Sequence, residues 1–489
     1  MTPNTQASWS GSKIIGLLAG PLLFLLIYFL VSIDGLDPKA IKVLAVAGWM
    51  VLWWVTETVP LPVTALLPLL LFPILDIFPI AEATAPYASP IVFLFMGGFL
   101  IALAMERRNL HRRIALNLIR LTGTNANGII LGFMLATAFL SMWISNTATT
   151  VMMLPIAVSV IDLLQDQQPE GAGDGYRKFA LGLMLCIAYS ANIGGTTTII
   201  GTPPNVVMVG YMQEFYGREI AFGRWLFVGI PICVVLLTCT YLLITRVLFR
   251  HRLKRLAGSG EIIASKLREL GAMSRAEKLV AAVFALTAFC WIFQTTLNDW
   301  LGDRYLDNTI VAMGGGLLMF IIPASLRKQE YLLDWKSTER LPWGILLLFG
   351  GGLCLAKGME TTGVVQLVGE RLAGEGTISI PVLILALTGF SLFITEIMSN
   401  VALTVIFIPV VLGIANSLNM EPMLLVVPVT IASSCAFMMP VSTPPNAIVF
   451  SSGHIRIIDM VKAGFFLNII SILVLLLIAL TVVQWVYGG

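Results

Sequence analysis

The sequence predicts an all-α polytopic membrane protein, and this prediction rests on composition, hydropathy and an internal repeat. Apolar residues make up 57% of the 489 residues and charged residues 12%, about half the charged share of a soluble domain. Mean hydropathy is +0.90, and many windows exceed the roughly 18 apolar residues that indicate a membrane span. The net charge of +3 gives no reason to expect a nucleic-acid partner.

Apolar segments separated by charges and by Gly/Pro clusters predict the spans in order. They lie at about 14–32, 41–58, 60–78, 90–105, 178–213, 224–247, 278–297, 307–323, 343–358, 422–453 and 461–486. Two further segments, 126–161 and 378–419, are about twice too long for one span at a rise of about 1.5 Å per residue. Each carries a Ser-Asn pair near its middle, so each is either two ordinary spans or a re-entrant hairpin with that pair at its tip.

Charged loops set the predicted sidedness. Lysine and arginine cluster at 107–113, 246–255, 266–278 and 327–340, whereas 34–37, 299–307 and 360–375 are net acidic. The positive-inside rule makes the basic clusters cytoplasmic, and both interpretations of the long segments satisfy it. The tip composition favours hairpins, because a loop that crosses to water seldom reads Ile-Ser-Asn-Thr-Ala. We therefore predict eleven transmembrane helices plus two re-entrant hairpins, with a cytoplasmic N-terminus and a periplasmic or extracellular C-terminus.

Three connecting segments differ from the spans. Residues 106–121 and 360–372 are amphipathic with a helical period, which predicts horizontal helices along opposite membrane faces. The basic stretch 249–277 is the one sizeable cytoplasmic connection, and it divides the chain into halves.

The two halves repeat at a constant step. The Ser-Asn pairs at Ser145 and Ser399 are 254 positions apart, as are Pro155 and Pro409. The glycine-containing run 95–106 matches 349–360 at the same step. The copies are an odd number of spans apart, so one is inverted relative to the other. Inverted repeats with interrupted helices near the midplane are typical of secondary transporters, with the binding site where the interruptions meet.

A Thr-Pro-Pro-Asn motif interrupts one apolar segment in each half, at 202–205 and at 443–446. Proline lacks an N–H and clashes with the preceding turn, so it breaks a helix, but it is well placed at the first turn of a new one. Each motif therefore predicts a half-helix N-terminus with free N–H groups and a positive dipole end. Such backbone survives at membrane depth only where it lines a cavity or a site.

The predicted site contains almost no charge. Residues 121–161, 179–213 and 422–453 contain no Asp, Glu, Lys or Arg, and 376–420 contains only Glu396. The neutral donors are Ser145, Asn146, Thr147, Thr202, Ser399, Asn400 and Thr443. Hydroxyls, amides and helix N-termini suit carboxylate or sulfate oxygens, and two facing clusters suit a dianion. A buried dianion needs countercharge. Backbone carbonyls near 141–144 and 395–398, together with the Ser and Asn side-chain oxygens, could form an oxygen cage for Na⁺, so we predict that Na⁺ supplies this charge.

Other features have plainer interpretations. A lone Ser-Asn-Thr is more often an interhelical contact than a site, and it is the pairing between halves that favours a site. Glu396 has the apolar counterpart Met142, so we expect a structural salt bridge or a supporting role, with a proton carrier or a part in a cation site as the alternatives. Lys357 is its candidate partner. The six cysteines lie in apolar segments without a CxxC pattern, which predicts neither disulfides nor a metal site.

The motifs resemble those of the divalent anion/sodium symporter (DASS) family, which includes C4-dicarboxylate, citrate and sulfate carriers. The resemblance is carried by the paired Ser-Asn motifs, the Thr-Pro-Pro-Asn interruptions, the run from Glu57 to Pro68 and the run from Ala436 to Asn446. It extends from about residue 40 to the C-terminus. It implies an elevator-type transporter that forms a homodimer, with a scaffold domain and a mobile transport domain in each protomer.

The resemblance also implies roles for particular residues. The first Na⁺ site would use Ser141, Ser145, Asn146 and Gly201, and the second would use Thr395, Met398, Asn400 and Ser442. Substrate would meet Ser145, Asn146, Thr147, Ser399, Asn400 and Val401, with Thr202, Thr443 and Pro444 nearby. Val401 stands where family members often have threonine, so one hydroxyl is missing from the second tip.

The predicted organisation has five parts. They are N-terminal scaffold helices at 1–89, a first transport region at 90–223 (hairpin 126–161, broken helix 178–213), scaffold helices at 224–342, a second transport region at 343–460 (hairpin 378–419, broken helix 422–453) and a C-terminal helix at 461–489. The predicted function is Na⁺-coupled import of succinate, malate or fumarate across a bacterial inner membrane. The alternatives are a dicarboxylate exchanger and a citrate or sulfate carrier. An alternative of a different class is a membrane-embedded enzyme or a channel. An enzyme would need a nucleophile, a His/carboxylate pair or metal ligands, and Glu396 alone does not supply them.

Overall fold

The structure, a computed structural model, describes residues 11–32, 37–166, 173–251, 253, 258–302, 305–373 and 379–488. These residues are almost entirely helical, which confirms the all-α class. Their only sheet is an antiparallel pair, β1 (Pro323–Ser325) and β2 (Glu330–Tyr331), in which Pro323 faces Tyr331. The predicted polar N-terminus, the acidic loop residues Asp34 and Asp303, and parts of the basic connection lie outside the described residues.

Twelve helices make up the first half. They are α1 (Gly11–Leu30), α2 (Pro38–Thr56), α3 (Leu61–Thr64), α4 (Leu67–Ile74), α5 (Ile80–Thr84), α6 (Pro90–Arg107), α7 (Leu110–Leu121), α8 (Ala126–Ser141), α9 (Asn146–Asp166), α10 (Gly173–Gly195), α11 (Pro203–Tyr216) and α12 (Phe222–Leu242). A 3₁₀ turn (Ala85–Ala88) joins α5 to α6, and a π-helical turn (Leu243–Leu248) extends α12.

Twelve more follow in the second half. They are α13 (Ser259–Glu269), α14 (Arg275–Ile292), α15 (Gln294–Leu301), α16 (Asn308–Ile321), α17 (Trp343–Thr361), α18 (Val364–Ala373), α19 (Ile380–Ile394), α20 (Asn400–Ser417), α21 (Met423–Ser434), α22 (Pro444–Phe450), α23 (Ile457–Ile478) and α24 (Gln484–Tyr487). A 3₁₀ turn (Trp335–Arg340) precedes α17, and a π-helical turn (Ala479–Val483) joins α23 to α24.

The four predicted interruptions are present. Helices α8 and α9 are separated by 142–145, and α19 and α20 by 395–399, so each Ser-Asn pair lies at a turn between two helices. Segments 196–202 and 435–443 separate α10 from α11 and α21 from α22. We call 141–147 and 395–401, which span these turns, the first and second tips, and 196–202 and 435–443 the first and second breaks. The local sequence therefore determines all four.

The broken helices form the centre of the protein. The hydrophobic window of α10 is 94% buried, whereas that of α1 is only 11% buried. Every residue of α21 is buried. The helices that precede the two breaks, α10 and α21, are therefore enclosed by other helices.

The number of spans stays a prediction. Within the described residues, eight helical stretches are long and apolar enough to cross a membrane, or nine if the α14–α15 pair, bent by 76°, is one span. One of the eight is α20, which has 18 residues, so helix length alone does not distinguish a re-entrant hairpin from two spans.

The predicted span at 60–78 differs in the structure. It consists of the short helices α3 and α4, and the next helical stretch begins at Ile80 rather than at residue 90. Asp76 has a positive φ of 56°, which ends the helical path, and Pro79 precedes α5 in an extended conformation. Backbone preferences at these two residues therefore move the boundary.

The predicted amphipathic helices exist but begin later than expected. Asn109, with φ of 58°, separates α6 from α7, and Gly363, with φ of 77°, precedes α18. Glu106 and Glu360 therefore belong to the ends of α6 and α17 rather than to the amphipathic helices. The orientation of α7 and α18 along the membrane stays a prediction.

Three of the basic clusters meet on one face. Arg108 Nη1 lies 2.7 Å from Glu330 Oε1 beside the β-hairpin, and Arg113 Nε lies 2.9 Å from Glu277 Oε1 at the start of α14. These ion pairs bring 107–113 together with 266–278 and 327–340. The clusters thus share a face, as the predicted cytoplasmic side requires.

Candidate functional site

Both tips and both breaks line one cavity of about 990 Å³. All nine residues predicted to meet substrate lie on its wall: Ser145, Asn146, Thr147, Thr202, Ser399, Asn400, Val401, Thr443 and Pro444. Of the predicted cation ligands that are not in that set, Gly201, Met398 and Ser442 also line the cavity. Ser141 and Thr395 are fully buried behind its wall. Residues from both halves of the chain are therefore brought together at one place.

The first tip contains a cluster of three oxygens. Ser141 Oγ lies 2.6 Å from Asn146 Oδ1 and 2.7 Å from the backbone oxygen of Ala191 in α10. Asn146 is the first residue of α9, and Thr150 donates to its carbonyl at 2.8 Å. The start of α9 therefore fixes the amide beside the serine hydroxyl.

The second tip repeats this arrangement. Thr395 Oγ1 lies 2.8 Å from Asn400 Oδ1 and 2.6 Å from the backbone oxygen of Ser433 in α21. Thr404 donates to the carbonyl of Asn400 at 2.7 Å. The hydroxyl contacts of Ser141 and Thr150 with Asn146 recur at the 254-residue step in Thr395 and Thr404 with Asn400, so the internal repeat extends to hydrogen bonding.

Each oxygen cluster has more acceptors than protons. A hydroxyl donates a single proton, and here it lies within hydrogen-bonding distance of two oxygens that only accept. Hydroxyl, amide and carbonyl oxygens are the donor set that hard cations such as Na⁺ prefer. The donor chemistry of both clusters therefore fits a small hard cation.

Two glycines allow the close packing of the first cluster. A Cβ on Gly195 would lie 2.5 Å from Asn146 Oδ1, and one on Gly201 would lie 2.4 Å from the carbonyl oxygen of Gly195. The end of α10 therefore approaches the amide of Asn146, and the first break approaches the end of α10, more closely than any other residue type would allow. This proximity explains how Gly201, six residues beyond the end of α10, lies near the predicted cation site.

The prolines restart the helices where the sequence predicts. Pro203 and Pro204 begin α11, Pro444 and Pro445 begin α22, and the preceding threonines have extended backbone. Thr443 Oγ1 accepts from the backbone N–H of Asn446 at 3.3 Å and from Asn192 Nδ2 at 3.2 Å. Both helices therefore direct their N-terminal ends, which carry partial positive charge, at the cavity.

The asparagine of each Thr-Pro-Pro-Asn motif holds the break that precedes it. Asn205 Nδ2 donates to the carbonyls of Thr196 and Thr198 at 3.0 and 2.8 Å. Asn446 Nδ2 donates to those of Ala436 and Met439 at 3.1 and 3.0 Å. Unpaired buried carbonyls are costly, so these amides stabilise the non-helical backbone. The motif predicted the breaks but not this role.

The Glu396 carboxylate is buried and binds the second break. It accepts hydrogen bonds from the backbone N–H groups of Phe437, Met438 and Met439 and from Asn468 Nδ2. The expected pairing with Lys357 is wrong, because Lys357 Nζ lies 4.0 Å from Glu214 Oε1 on α11. Sequence alone could not place Glu396, since its partners are mostly backbone atoms 41 to 43 residues away.

The cavity wall opposite the tips includes residues that the sequence did not indicate. Phe95, Phe99 and Glu106 come from α6, and Arg340 precedes α17. Arg340 Nη2 lies 3.1 Å from Glu106 Oε2, on the same face as the basic clusters. The sequence feature that best indicates this wall is the run from Glu57 to Pro68, because Glu57 also lines the cavity. Glu57 has φ of 45°, an uncommon value for a residue other than glycine.

Comparison with known proteins gives consistent results. The model of the family described as sodium:sulfate symporter transmembrane region matches residues 11–488. The sodium-dependent dicarboxylate transporter SdcS of Staphylococcus saprophyticus is 42% identical over 488 residues, covering 98% of this chain and 93% of that protein. SdcS of Staphylococcus aureus is 41% identical over 483 residues, with the same coverage.

Two solved structures have a similar fold. The YdaH transporter of Alcanivorax borkumensis has a TM-score of 0.59 at 13% identity, covering 84% of this chain and 87% of that one. MtrF of Neisseria gonorrhoeae, described as one of a class of antimetabolite efflux pumps, has a TM-score of 0.57 at 10% identity, covering 97% and 95%. At these identities the likeness concerns the fold alone.

Proposed function

Because this chain belongs to the sodium:sulfate symporter family, we propose that it is a sodium-coupled symporter that imports C4-dicarboxylates such as succinate, malate or fumarate. The observation that carries the proposal is the convergence of two Ser-Asn tips and two half-helix N-termini on one cavity. The names of the SdcS relatives support the same substrate class and the same ion.

The dianion binds between the two tips. The side chains of Ser145, Asn146 and Thr147 contact one carboxylate, and those of Ser399 and Asn400 contact the other. Thr202, Thr443 and Pro444 lie at the starts of α11 and α22, where the positive end of the helix dipole favours an anion. This part of the cavity wall has no basic side chain, so the substrate charge is balanced by cations.

Two Na⁺ ions supply that balance. The first binds Ser141, Ser145, Asn146 and Gly201, with the carbonyl of Ala191, 2.7 Å from Ser141 Oγ, as a further candidate ligand. The second binds Thr395, Met398, Asn400 and Ser442, with the carbonyl of Ser433 as a further candidate. Because Asn146 and Asn400 belong to both the substrate wall and the oxygen clusters, cation binding orders the groups that bind the dianion.

Transport proceeds by alternating access, with the transport domain moving as an elevator against the scaffold of a homodimer in a bacterial inner membrane. The cavity reaches Arg340 and Glu106 on the face of the basic clusters. With that face cytoplasmic, the conformation described here is open to the inside. The C-terminus then lies on the periplasmic or extracellular side.

Uptake into proteoliposomes tests the proposal. We expect labelled succinate to accumulate under an inward Na⁺ gradient but not under a K⁺ gradient, and unlabelled malate and fumarate to compete more strongly than citrate or sulfate. Counterflow that persists without Na⁺ would identify an exchanger. Stronger competition by citrate or sulfate would reject the C4-dicarboxylate assignment but not the symport mechanism.

A further inference from the structure

The two cation clusters differ in the hydrogen bonds that join the tip to the break in each half of the chain. In the first half, one hydrogen bond among the described residues joins the tip to the break, from Thr198 Oγ1 to the carbonyl of Met142 at 2.5 Å. Both groups are neutral. In the second half, the position equivalent to Met142 is Glu396, whose carboxylate reaches across to the break.

Both oxygens of the Glu396 carboxylate accept hydrogen bonds. Its Oε1 accepts from the N–H groups of Phe437 and Met438 at 2.8 and 3.0 Å and from Asn468 Nδ2 at 2.8 Å. Its Oε2 accepts from the N–H groups of Met438 and Met439 at 3.1 and 3.2 Å. All five contacts come from donors, so they fit the ionised carboxylate, which only accepts. Hydrogen bonds to a charged acceptor are about twice as strong as neutral ones.

These contacts fix both sides of the second cation cluster. Glu396 follows Thr395 in the tip, and Met439 lies in the break, where its carbonyl accepts from Ser442 Oγ at 2.7 Å. The carboxylate therefore joins the segment that carries Thr395 and Asn400 to the segment that carries Ser442 and Thr443. Asn468 of α23 holds the carboxylate from the opposite side.

We propose that Glu396 is a positioning residue that preorganises the second cation site, so that this site binds Na⁺ before the first site and more tightly. This inference rests on the proposed function. Because the second tip and break are joined before any ion arrives, binding there orders little further structure. At the first site, a single hydrogen bond between neutral groups joins the tip to the break, so Na⁺ itself must order these two segments. Residues that orient ligands in this way typically change metal affinity by roughly 10- to 100-fold.

Hydrogen–deuterium exchange on the unmodified protein gives a test that needs no transport. Backbone amides of 437–439 are expected to exchange slowly and at the same rate in NaCl and in choline chloride, because the carboxylate holds them without the ion. Amides of 198–201 are expected to exchange slowly only in NaCl. If the amides of 437–439 become as fast as those of 198–201 in choline chloride, the proposal is wrong.

Substitution gives the second test. Glu396→Gln keeps the side-chain shape but removes the charge and points an NH₂ group at N–H donors. We expect the Na⁺ concentration for half-maximal succinate uptake to rise about tenfold, while the KM for succinate at saturating Na⁺ changes little. Glu421→Gln is the matched control, since that carboxylate pairs with Arg218 and does not line the cavity.

Asn468→Ala supplies a milder variant, because it removes one donor to the carboxylate and keeps the charge. The same change in Na⁺ dependence is expected, but smaller. If folded Glu396→Gln protein has an unchanged half-maximal Na⁺ concentration, the proposed role of Glu396 is wrong. That result would not contradict the proposed symport function. Absence of Na⁺-dependent uptake by the unmodified protein would instead reject the proposed function.

Discussion

Asn146 and Asn400 each begin a helix and each accept a hydroxyl proton through the side-chain amide. Both also line the cavity. An alanine at either position removes an oxygen from the proposed cation site and an amide from the proposed substrate wall at once. These two residues are therefore where cation and dianion binding are expected to depend on each other most directly.

Substitution of these asparagines tests that dependence. Asn146→Ala and Asn400→Ala are each expected to reduce Na⁺ affinity by roughly 10- to 100-fold, as loss of a site-forming residue does, and to bring succinate uptake to background. Size-exclusion chromatography is expected to give the elution volume of the unmodified protein. Normal uptake by either variant would contradict the model of two tips acting together.

Val401 is the residue at which the second tip departs from the first. It lines the cavity where the equivalent residue of the first tip is Thr147, so one wall presents methyl groups and the other a hydroxyl. Val401→Thr is expected to strengthen binding of malate relative to succinate by about fivefold, the equivalent of one hydrogen bond of about 1 kcal/mol. Competition of each acid against labelled succinate measures this ratio. Equal changes for both acids would place the malate hydroxyl elsewhere.

At the scale of elements, the packing of α10 against the first tip depends on the absence of a side chain at Gly195. Gly195→Ala places a Cβ 2.5 Å from Asn146 Oδ1, so the amide must move away from Ser141. We expect a roughly tenfold loss of Na⁺ affinity, comparable to the loss of an orienting contact, with little loss of thermal stability. Na⁺-dependent uptake and a melting curve in detergent measure the two effects.

The control for this change is another glycine-to-alanine substitution. Gly314 lies in α16, and a Cβ there would contact nothing within 4 Å. Gly314→Ala is expected to leave Na⁺ dependence unchanged and to stabilise the helix slightly. If both variants alter Na⁺ dependence alike, the effect is general and does not arise from contact with Asn146.

Helix boundaries were predictable from the sequence where residues at the boundary itself determine them. The Thr-Pro-Pro-Asn motifs fixed the starts of α11 and α22, because proline at a first turn acts through its own ring. The segment 60–78 was predicted as one span because its composition is apolar throughout. Its division into α3 and α4 depends on Asp76 and Pro79, whose effect on the backbone a hydropathy pattern does not register.

Contacts between distant segments limited prediction of the site. The tip residues Ser145 and Asn146 were identifiable as polar residues within an apolar run. The carbonyls of Ala191 and Ser433 were not, since every residue has a carbonyl and only the fold selects which ones approach a hydroxyl. The same limit applies to Glu396, whose partners include the backbone of the second break.

At the scale of the whole molecule, the cavity-lining residues Glu106 and Arg340 lie on the face of the basic clusters, which predicts the side from which the cavity is reached. Val441 lines the cavity and is 80% exposed. A cysteine at this position is expected to react with a membrane-impermeant maleimide in inside-out vesicles, and Na⁺ with succinate is expected to protect it. The unmodified protein is the control, because four of its six cysteines are buried.

Labelling of right-side-out vesicles completes this test. A rate equal to that in inside-out vesicles would mean that the outward-open conformation is equally populated. Labelling from the outside alone would reverse the predicted orientation of the protein. If Na⁺ and succinate do not protect the cysteine from labelling, the cavity does not lie on the path of the substrate.

The shortage of protons in the oxygen clusters has a consequence for the empty carrier. With no ion, one hydroxyl proton serves two acceptors, and the lone pairs of the amide and carbonyl oxygens repel one another. A cation relieves this repulsion, and a dianion increases it. On the proposed assignment of these clusters, a carrier loaded with substrate alone is therefore expected to be its least stable form, which would limit slippage, the passage of dicarboxylate uncoupled from the ion gradient.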